Sequence, residues 1–121
     1  MQADELKDLA FKVLDDMKGQ DITVLDVRGK SSLIDYMVIA SGTSNRHVRA
    51  MAEDVALKAR QAGAPPLGVE DDQSGEWVLV DLGDVVVHVM QPATRDFYNL
   101  EKLWQVDEDI VRRHRGDEDP G

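Results

Sequence analysis

Apolar side chains recur along the chain with two different periods, and each period predicts one kind of secondary structure. Over residues 6–17 and again over 48–62 they follow the i, i+3, i+4, i+7 spacing of one helical face. Gly19 predicts the end of the first helix. Between the helices, "DITVLDVRG" and "YMVIAS" are rich in β-branched residues and predict two strands. The continuous apolar run of the second strand indicates burial on both of its faces.

The clearest local pattern is "EWVLVDLGDVVVHVMQP", in which two apolar runs flank Gly83-Asp84. This dipeptide suits a two-residue hairpin turn. The resulting register places Val80 opposite Val87 and gives the hairpin one wholly aliphatic face. We expect the other face, which mixes large apolar and polar groups, to be covered partly by the chain and partly by a partner. Its residues are Trp77, Leu79, Asp81, Val86, His88 and Met90.

The order of elements predicts the fold class. A short strand before the hairpin and short helices after Pro92 complete the order helix, strand, strand, helix, short strand, hairpin, short helices. We therefore predict an α/β fold, with a single domain that has a mixed β-sheet flanked by helices. The domain is expected to cover residues 1–104. Residues 105–121 are predicted to form a charged, disordered C-terminal tail.

Composition and charge narrow the classes of partner. The 121 residues include no cysteine, which excludes disulfides and thiol catalysis and agrees with a cytoplasmic protein. Twenty-four acidic and fourteen basic residues give a net charge of −10, of which the tail contributes only −3 from six acids and three arginines. Such a chain is expected to be repelled by bare nucleic acid and attracted to basic protein surfaces. No apolar run approaches the roughly 18 residues that cross a bilayer.

The stretch "SGTSNRH", residues 41–47, joins a predicted strand to a predicted helix, a geometry that can hold a phosphate. It lacks the lysine and the second glycine of a P-loop. Ser44 or Thr43 is a natural N-cap, and Gly42 gives the turn backbone freedom. Arg46 and Arg49 suit a phosphate, although arginines on an exposed helix are usually only solvated. The favoured interpretation is a capped turn rather than a nucleotide site.

A search for catalytic residues finds no strong candidate. Asp81 and Asp84 fall at the hairpin turn, where aspartate is favoured by turn geometry alone. His47, His88 and His114 show no metal-like spacing. Because His88 interrupts "VVVHV", we predict that it makes a hydrogen bond in the interior or at an interface. We expect no enzyme activity, no catalytic residue, no cofactor and no metal.

Aromatic residues near the end of the domain favour a binding function instead. Trp77 follows an acidic loop and Tyr98 lies in the last predicted helices, so both are interpreted as interface residues. For Phe97 and Trp104, core and interface positions stay equally open.

Three stretches resemble one known family in the same order: "DYMVIASGTSNRHVRAMAEDV", "GEWVLVDLGDVVVHVM" and "RDFYNLEKLW". Together they are similar to the ribosomal silencing factors, also called RsfS or Iojap-like proteins, over about residues 5–104. The resemblance implies a nucleotidyltransferase-like α/β domain without the catalytic residues. It also implies a homodimer when free. Related members act in organelle ribosome assembly.

The function implied by the resemblance is translational repression. The protein would bind the large ribosomal subunit through large-subunit ribosomal protein fourteen and block joining of the small subunit when nutrients are scarce. No membrane and no sequence-specific nucleic acid would be bound. Glu76 and Glu101 are added to the family's surface because their charge suits a basic partner. The predicted partner-binding residues are Trp77, Tyr98, Asn99, Leu100, Lys102, Glu76 and Glu101.

Three alternatives stay open at this point. One is a working nucleotidyltransferase or nucleotide-binding domain, which a magnesium-dependent thermal shift with nucleoside triphosphates would reveal. Another is a ribosome-assembly adaptor. The third is a dimeric adaptor unrelated to ribosomes, which co-sedimentation with large but not small subunits would exclude.

Overall fold

The structure is a computed structural model that describes residues 1–103. Its elements follow the predicted order, while the predicted tail and Trp104 lie outside the described residues. The bounds are α1 Ala3–Asp16, β1 Gln20–Asp26, β2 Tyr36–Ser41, α2 Asn45–Gln61, β3 Gly68–Asp71, β4 Trp77–Asp81, β5 Val85–Met90, α3 Pro92–Tyr98 and α4 Leu100–Leu103.

The five strands form one mixed sheet in the order β1-β2-β5-β4-β3. β2 and β5 are parallel, whereas the pairs β1/β2, β4/β5 and β3/β4 are antiparallel. A parallel pair needs a long crossover connection, and this one contains α2, β3 and β4. All six residues of β2 are buried, as its apolar run predicts. The predicted α/β class with a mixed, helix-flanked sheet is therefore confirmed.

The hairpin of β4 and β5 has the predicted register, with Val80 opposite Val87. Gly83 has a φ of +93°, a left-handed conformation that glycine adopts at little cost. Asp81 Oδ1 accepts a hydrogen bond of 2.9 Å from the Gly83 N–H, and the Asp84 carbonyl accepts from Asp35 at 2.7 Å. The side chain of Asp81 therefore takes part in the turn, in agreement with its interpretation as a turn residue, whereas the backbone of Asp84 joins the turn to the residue before β2.

Helices α1 and α2 cover one face of the sheet and form the larger core with it. Their predicted apolar faces point into this core, although Leu9 and Met17 are only half-buried and Ala62, the C-cap of α2, is exposed. No helix within residues 1–103 has the length and apolar character that a membrane span requires. The core centres on fully buried side chains that include Leu14, Val38, Met51, Val55, Val80, Val85 and Val87.

The end of α1 differs from the predicted cap. The C-cap is Met17, and the left-handed residue after it is Lys18, with a φ of +67°. Gly19 follows, and its N–H donates to the Leu14 carbonyl at 2.8 Å. A Cβ at Gly19 would lie 2.9 Å from that carbonyl oxygen. Glycine is therefore required by close approach rather than by a left-handed φ.

The opposite face of the sheet carries a smaller apolar cluster, which we call the second cluster. No long helix covers it among the described residues, and α3 and α4 lie at one end of the sheet. Ile34, Trp77 and Leu100 pack against it while staying half-buried. The second cluster consists of Leu25, Val27, Met37, Ile39 and Met90.

Candidate partner-binding surface

Trp77 begins β4 and faces the second cluster, where its indole is only half-buried. The indole N–H donates a 3.0 Å hydrogen bond to His88 Nδ1 on the neighbouring strand. The two ring centroids lie 5.8 Å apart. A large aromatic side chain with a fixed polar end and a partly open ring is well suited to anchor a protein interface.

His88 lies in the middle of β5 and is only 6% exposed. Because the Trp77 N–H can only donate, His88 Nδ1 must be the unprotonated acceptor. Burial lowers the pKa of His88 from 6.5 to about 4, since the charged imidazolium would lose its hydration. The ring is therefore neutral at physiological pH. The predicted hydrogen bond of His88 is confirmed, and its partner is Trp77.

Two further aromatic rings extend the surface outward from Trp77. The Tyr98 ring centroid is 4.8 Å from that of Trp77, at an interplanar angle of 49°. Phe97 packs edge-on against Tyr98 at 5.0 Å. Tyr98 is 52% exposed and Phe97 80% exposed, so Phe97 belongs to the surface and not to the core. We call Trp77, Phe97 and Tyr98 the aromatic patch.

A sharp turn follows the aromatic patch. Asn99 ends α3 in the left-handed conformation, with a φ of +49°, and its N–H donates to the Arg95 carbonyl at 2.8 Å. Asparagine tolerates this conformation better than most residues. α4 begins at the next residue, Leu100, which packs against the second cluster. Lys102 is exposed beside it. Asn99 thus ends α3, and Leu100 fixes the start of α4 against the sheet.

Arg95 is a buried residue of this region that the sequence pattern did not single out. Its Nε donates to Glu101 Oε1 at 2.8 Å, and this ion pair is largely enclosed. Glu101, which was predicted as a partner contact because of its charge, therefore uses that charge within the domain. Arginines in short amphipathic helices are usually exposed, so only the folded sheet shows what Arg95 contacts.

The acidic loop, residues 71–76, borders the aromatic patch on the other side. Arg49 holds it in place, donating to Asp71 Oδ2 at 2.8 Å and to the Gln73 carbonyl at 2.7 Å. The hydrogen bond from Arg49 holds the pKa of Asp71 below its usual range. Arg49 is therefore a loop anchor, and the expectation of a merely solvated arginine was wrong.

Acidic and aromatic groups share the walls of two shallow grooves on this surface. One, of about 250 Å³, runs between Glu70, Asp71 and Asp72 on one side and Trp77 and Leu79 on the other. The second, of about 280 Å³, has the same mixed character. It is lined by Asp72, Glu76, Ala93, Thr94, Phe97 and Tyr98.

Glu76 connects the acidic loop to α3. Its Oε1 accepts a hydrogen bond of 3.1 Å from Thr94, and its backbone carbonyl accepts from Gln91 at 2.9 Å. The side chain nevertheless stays exposed. Among the predicted residues, Glu76, Trp77 and Tyr98 thus lie together on one surface.

Gly75 is the residue of the acidic loop whose backbone packs against the start of α2. It has a φ of +76°, and a Cβ there would lie 2.3 Å from the Asn45 Cβ. We expect Gly75→Ala to lower the free energy of unfolding by roughly 2 kcal/mol, because backbone strain and overpacking combine. Urea unfolding followed by circular dichroism measures this change.

Gly63→Ala is the matched control for this prediction. Gly63 also has a positive φ, of +86°, but no atom lies within 4 Å of its added Cβ. It should therefore show the backbone strain alone, roughly 1 kcal/mol. Equal losses in the two variants would mean that the acidic loop is not tightly docked on α2.

The turn "SGTSNRH" is built as a helix cap. Ser44 Oγ accepts from the His47 N–H at 3.1 Å, which confirms Ser44 as the N-cap. The His47 ring lies 2.8 Å from the Met17 carbonyl and so connects the turn to the end of α1. Gly42 does not have a positive φ, so the expected need for backbone freedom was wrong. It is instead required by packing, since a Cβ would lie 2.8 Å from Val48.

Within residues 1–103, no group of three or more histidine, aspartate or glutamate side chains is arranged to hold a metal ion. The features that meet on one surface are instead the aromatic patch and the acidic loop, which together line the two grooves. Neither was visible as a unit in the sequence, because residues 78–96 separate the acidic loop and Trp77 from Phe97 and Tyr98.

Solved structures share this α/β architecture. A crystal structure of a protein from Chromobacterium violaceum matches with a TM-score of 0.85 and 50% identity, covering 88% of this chain and 89% of that one. A crystal structure from Bacillus halodurans matches with a TM-score of 0.75 and 40% identity, covering 84% and 94%. The fold class of the chain is thus that of known bacterial single-domain α/β structures.

The chain belongs to the ribosomal silencing factor family. The family model described as "Ribosomal silencing factor during starvation" matches residues 1–120. A curated Chromobacterium violaceum relative, named ribosomal silencing factor RsfS, is 51% identical over 86% of this chain and 85% of its own length. A mouse relative, named "Mitochondrial assembly of ribosomal large subunit protein 1", is 38% identical over 80% of this chain and 44% of its own length. The resemblance seen in the sequence is confirmed.

Proposed function

We propose that this protein represses translation by binding the large ribosomal subunit and sterically blocking joining of the small subunit, chiefly under nutrient limitation. The names of its bacterial relatives, and the word starvation in the family description, support a ribosome-associated silencing role. We infer that the contact on the subunit is large-subunit ribosomal protein fourteen. The protein would act in the cytoplasm and form a homodimer when free.

The observation that carries this proposal is the exposed aromatic patch bordered by the acidic loop. Exposed aromatic groups in contact with one another are rare on a free surface and common at the centre of protein interfaces. Arg49 and the contacts of Glu76 hold the neighbouring acidic loop in a defined conformation. The surface therefore suits a partner with apolar side chains at its centre and basic groups around them.

Charge decides what kind of ribosomal surface this protein can bind. With a net charge of −10, it is repelled by the phosphates of ribosomal RNA. A basic ribosomal protein that reaches the subunit surface offers the opposite charge, which speeds encounter and disfavours wrong orientations. No bond is made or broken in this mechanism. Two bodies cannot occupy one surface, so a bound repressor excludes the small subunit.

Co-sedimentation with purified ribosomal subunits tests the proposal. We expect the protein to pellet with large subunits and to remain in the supernatant with small subunits. Adding it to large subunits first should then lower the fraction of joined ribosomes in a sucrose gradient. Binding to both subunits alike, or binding without an effect on joining, would contradict the repressor mechanism.

A ribosome-assembly adaptor is the second candidate, favoured by the name of the mouse relative. The two functions differ in the particle that is bound. A repressor binds mature large subunits, whereas an assembly adaptor binds immature particles preferentially. Comparing co-sedimentation with mature subunits and with assembly precursors separates them.

A further inference from the structure

Arg95 is the single lysine or arginine that is buried within residues 1–103, with 8% exposure. Its guanidinium contacts three different elements. Besides the Glu101 carboxylate of α4, it donates to Ser41 Oγ of β2 and to Thr23 Oγ1 of β1, each at 3.0 Å. Arg95 itself belongs to α3. One side chain therefore connects two strands and the two short helices that carry the partner-binding segment.

The planar shape of the guanidinium explains why arginine occupies this position. Three acceptors at separate directions need donors in a fixed, forked arrangement. A lysine ammonium is a single point on a flexible stem and cannot reach the Glu101 carboxylate and both hydroxyls in the same way. Because a buried cation is costly without compensation, these contacts must form together for the region to fold as it does.

The contacts of Arg95 lie on both sides of the turn at Asn99. Its backbone carbonyl accepts from the Asn99 N–H, which ends α3, while its side chain binds Glu101 just beyond the turn. Tyr98 and Leu100 lie between Arg95 and Glu101 in the chain. Their contacts with Trp77 and with the second cluster are therefore made by a segment that is tied down at each end.

Neither short helix is expected to persist without such a tie. α3 has seven residues and α4 has four, well below the length at which isolated helices are stable in water. If the segment were mobile, a partner would have to order it during binding, and the affinity would fall accordingly. A rigid connection to the sheet removes that cost before the partner arrives.

We propose that Arg95 is the positioning residue of the partner-binding surface. Through Glu101, Ser41 and Thr23 it holds Tyr98 against Trp77 in the conformation that the partner recognises. This inference rests on the proposed function for its consequence in binding. The arrangement of Tyr98 on Trp77 can be tested without any ribosome.

The first measurement is acrylamide quenching of Trp77 fluorescence in a Trp104→Phe background, which makes Trp77 the one tryptophan. We expect Arg95→Met to raise the quenching constant about twofold, because Tyr98 no longer covers the indole. Arg95→Lys should resemble Arg95→Met, since it keeps the charge but loses the fork. Arg60→Met, at an exposed position of α2, is the matched control and should leave quenching unchanged. Unchanged quenching in Arg95→Met would overturn the proposal.

The second measurement separates positioning from general stability. In Arg95→Met the partly enclosed Glu101 carboxylate loses this ion pair, so thermal stability should fall. Adding Glu101→Gln removes the charge and should restore much of the unfolding temperature. Affinity for large subunits should nevertheless stay about tenfold or more below wild type in the double variant. The reason is that residues 98–100 are still not held to the sheet through residue 95.

The two measurements distinguish the possible failures. Wild-type affinity in the double variant at restored stability would overturn the positioning role. If the unaltered protein binds no large subunit, the proposed function fails, and the quenching result alone decides the role of Arg95. An Arg95→Met variant too unstable to study is replaced by the double variant in both measurements.

Discussion

Trp77→Ala is expected to weaken binding to purified large ribosomal subunits by at least about 2 kcal/mol, or roughly thirtyfold in Kd. The indole is the innermost ring of the aromatic patch, and its hydrogen bond to His88 holds it in one orientation. Its loss removes the ring against which Tyr98 packs. Tyr98→Ala is expected to show a loss of similar size for the same reason. Fluorescence-labelled protein titrated with large subunits gives the affinities.

Leu33→Ala is the matched control for this prediction. Leu33 is a large apolar side chain with 83% exposure, in the connection that precedes β2. Trp77 lies near the other end of β2. It pairs with Met90 of β5, and Met90 pairs with Ser41, the last residue of β2. Truncation of Leu33 also removes exposed apolar surface, but at the opposite end of β2, and should leave affinity unchanged. Wild-type affinity in both Trp77→Ala and Tyr98→Ala would show that the partner binds elsewhere.

The stability of the protein is expected to fall as the pH drops below about 6.5 because of His88. Well above pH 6.5 the imidazole is neutral in both the folded and the unfolded chain, so it contributes no pH dependence there. Below that pH the unfolded chain takes up a proton, whereas burial delays uptake in the folded protein until about pH 4. The free energy of unfolding should fall by about 3 kcal/mol across this window, of which about 2 kcal/mol is lost by pH 5.

His88→Asn isolates this contribution. Asparagine offers an oxygen acceptor to the Trp77 N–H but does not titrate. Urea unfolding of both proteins between pH 7 and pH 5 should show a steeper loss of stability in wild type. The other ionisable groups are common to both proteins and cancel in the difference. Parallel pH profiles would mean that His88 titrates alike in the folded and unfolded chains.

The sequence predicted those parts of the fold that depend on neighbours along the chain. The helical faces of α1 and α2, the N-cap at Ser44 and the hairpin register across Gly83 all arise from local spacing and local hydrogen bonds. The apolar run of β2 indicated a strand covered on both faces, and all its residues are buried. Such patterns are readable because the contacts that enforce them lie within a few residues.

The pairing of strands that are distant in the sequence was harder to predict. The sequence predicted a mixed sheet but not that β5 would insert beside β2 as its parallel neighbour. That pairing brings residues about 50 positions apart into register, such as Val38 and Val87. It also determines what lies at the end of these strands, where Ser41 meets Arg95. No local period records these contacts, since each element alone is compatible with several neighbours.

The candidate surface likewise has some features that the sequence predicted and others that only the fold revealed. Trp77, Tyr98 and their neighbours were proposed from motif resemblance and from aromatic residues near acidic groups, and the fold places Trp77 and Tyr98 in contact. The functions of Arg49 and Arg95 were not predicted, because an arginine that anchors a loop has the same sequence pattern as a solvated one. Glu101 was assigned by charge alone, and its ion pair with Arg95 became visible only in the fold.

By itself, the sequence determined the order and type of the elements, the aliphatic core faces, the acidic character of the chain and the family. Only the tertiary structure decided which polar groups are paired inside the domain and which remain available to a partner. The physical reason is that burial and charge pairing depend on atoms brought together from distant parts of the chain. Glu76 remains on the surface while Glu101 is half-buried against Arg95, although both are glutamates in motifs of the same family.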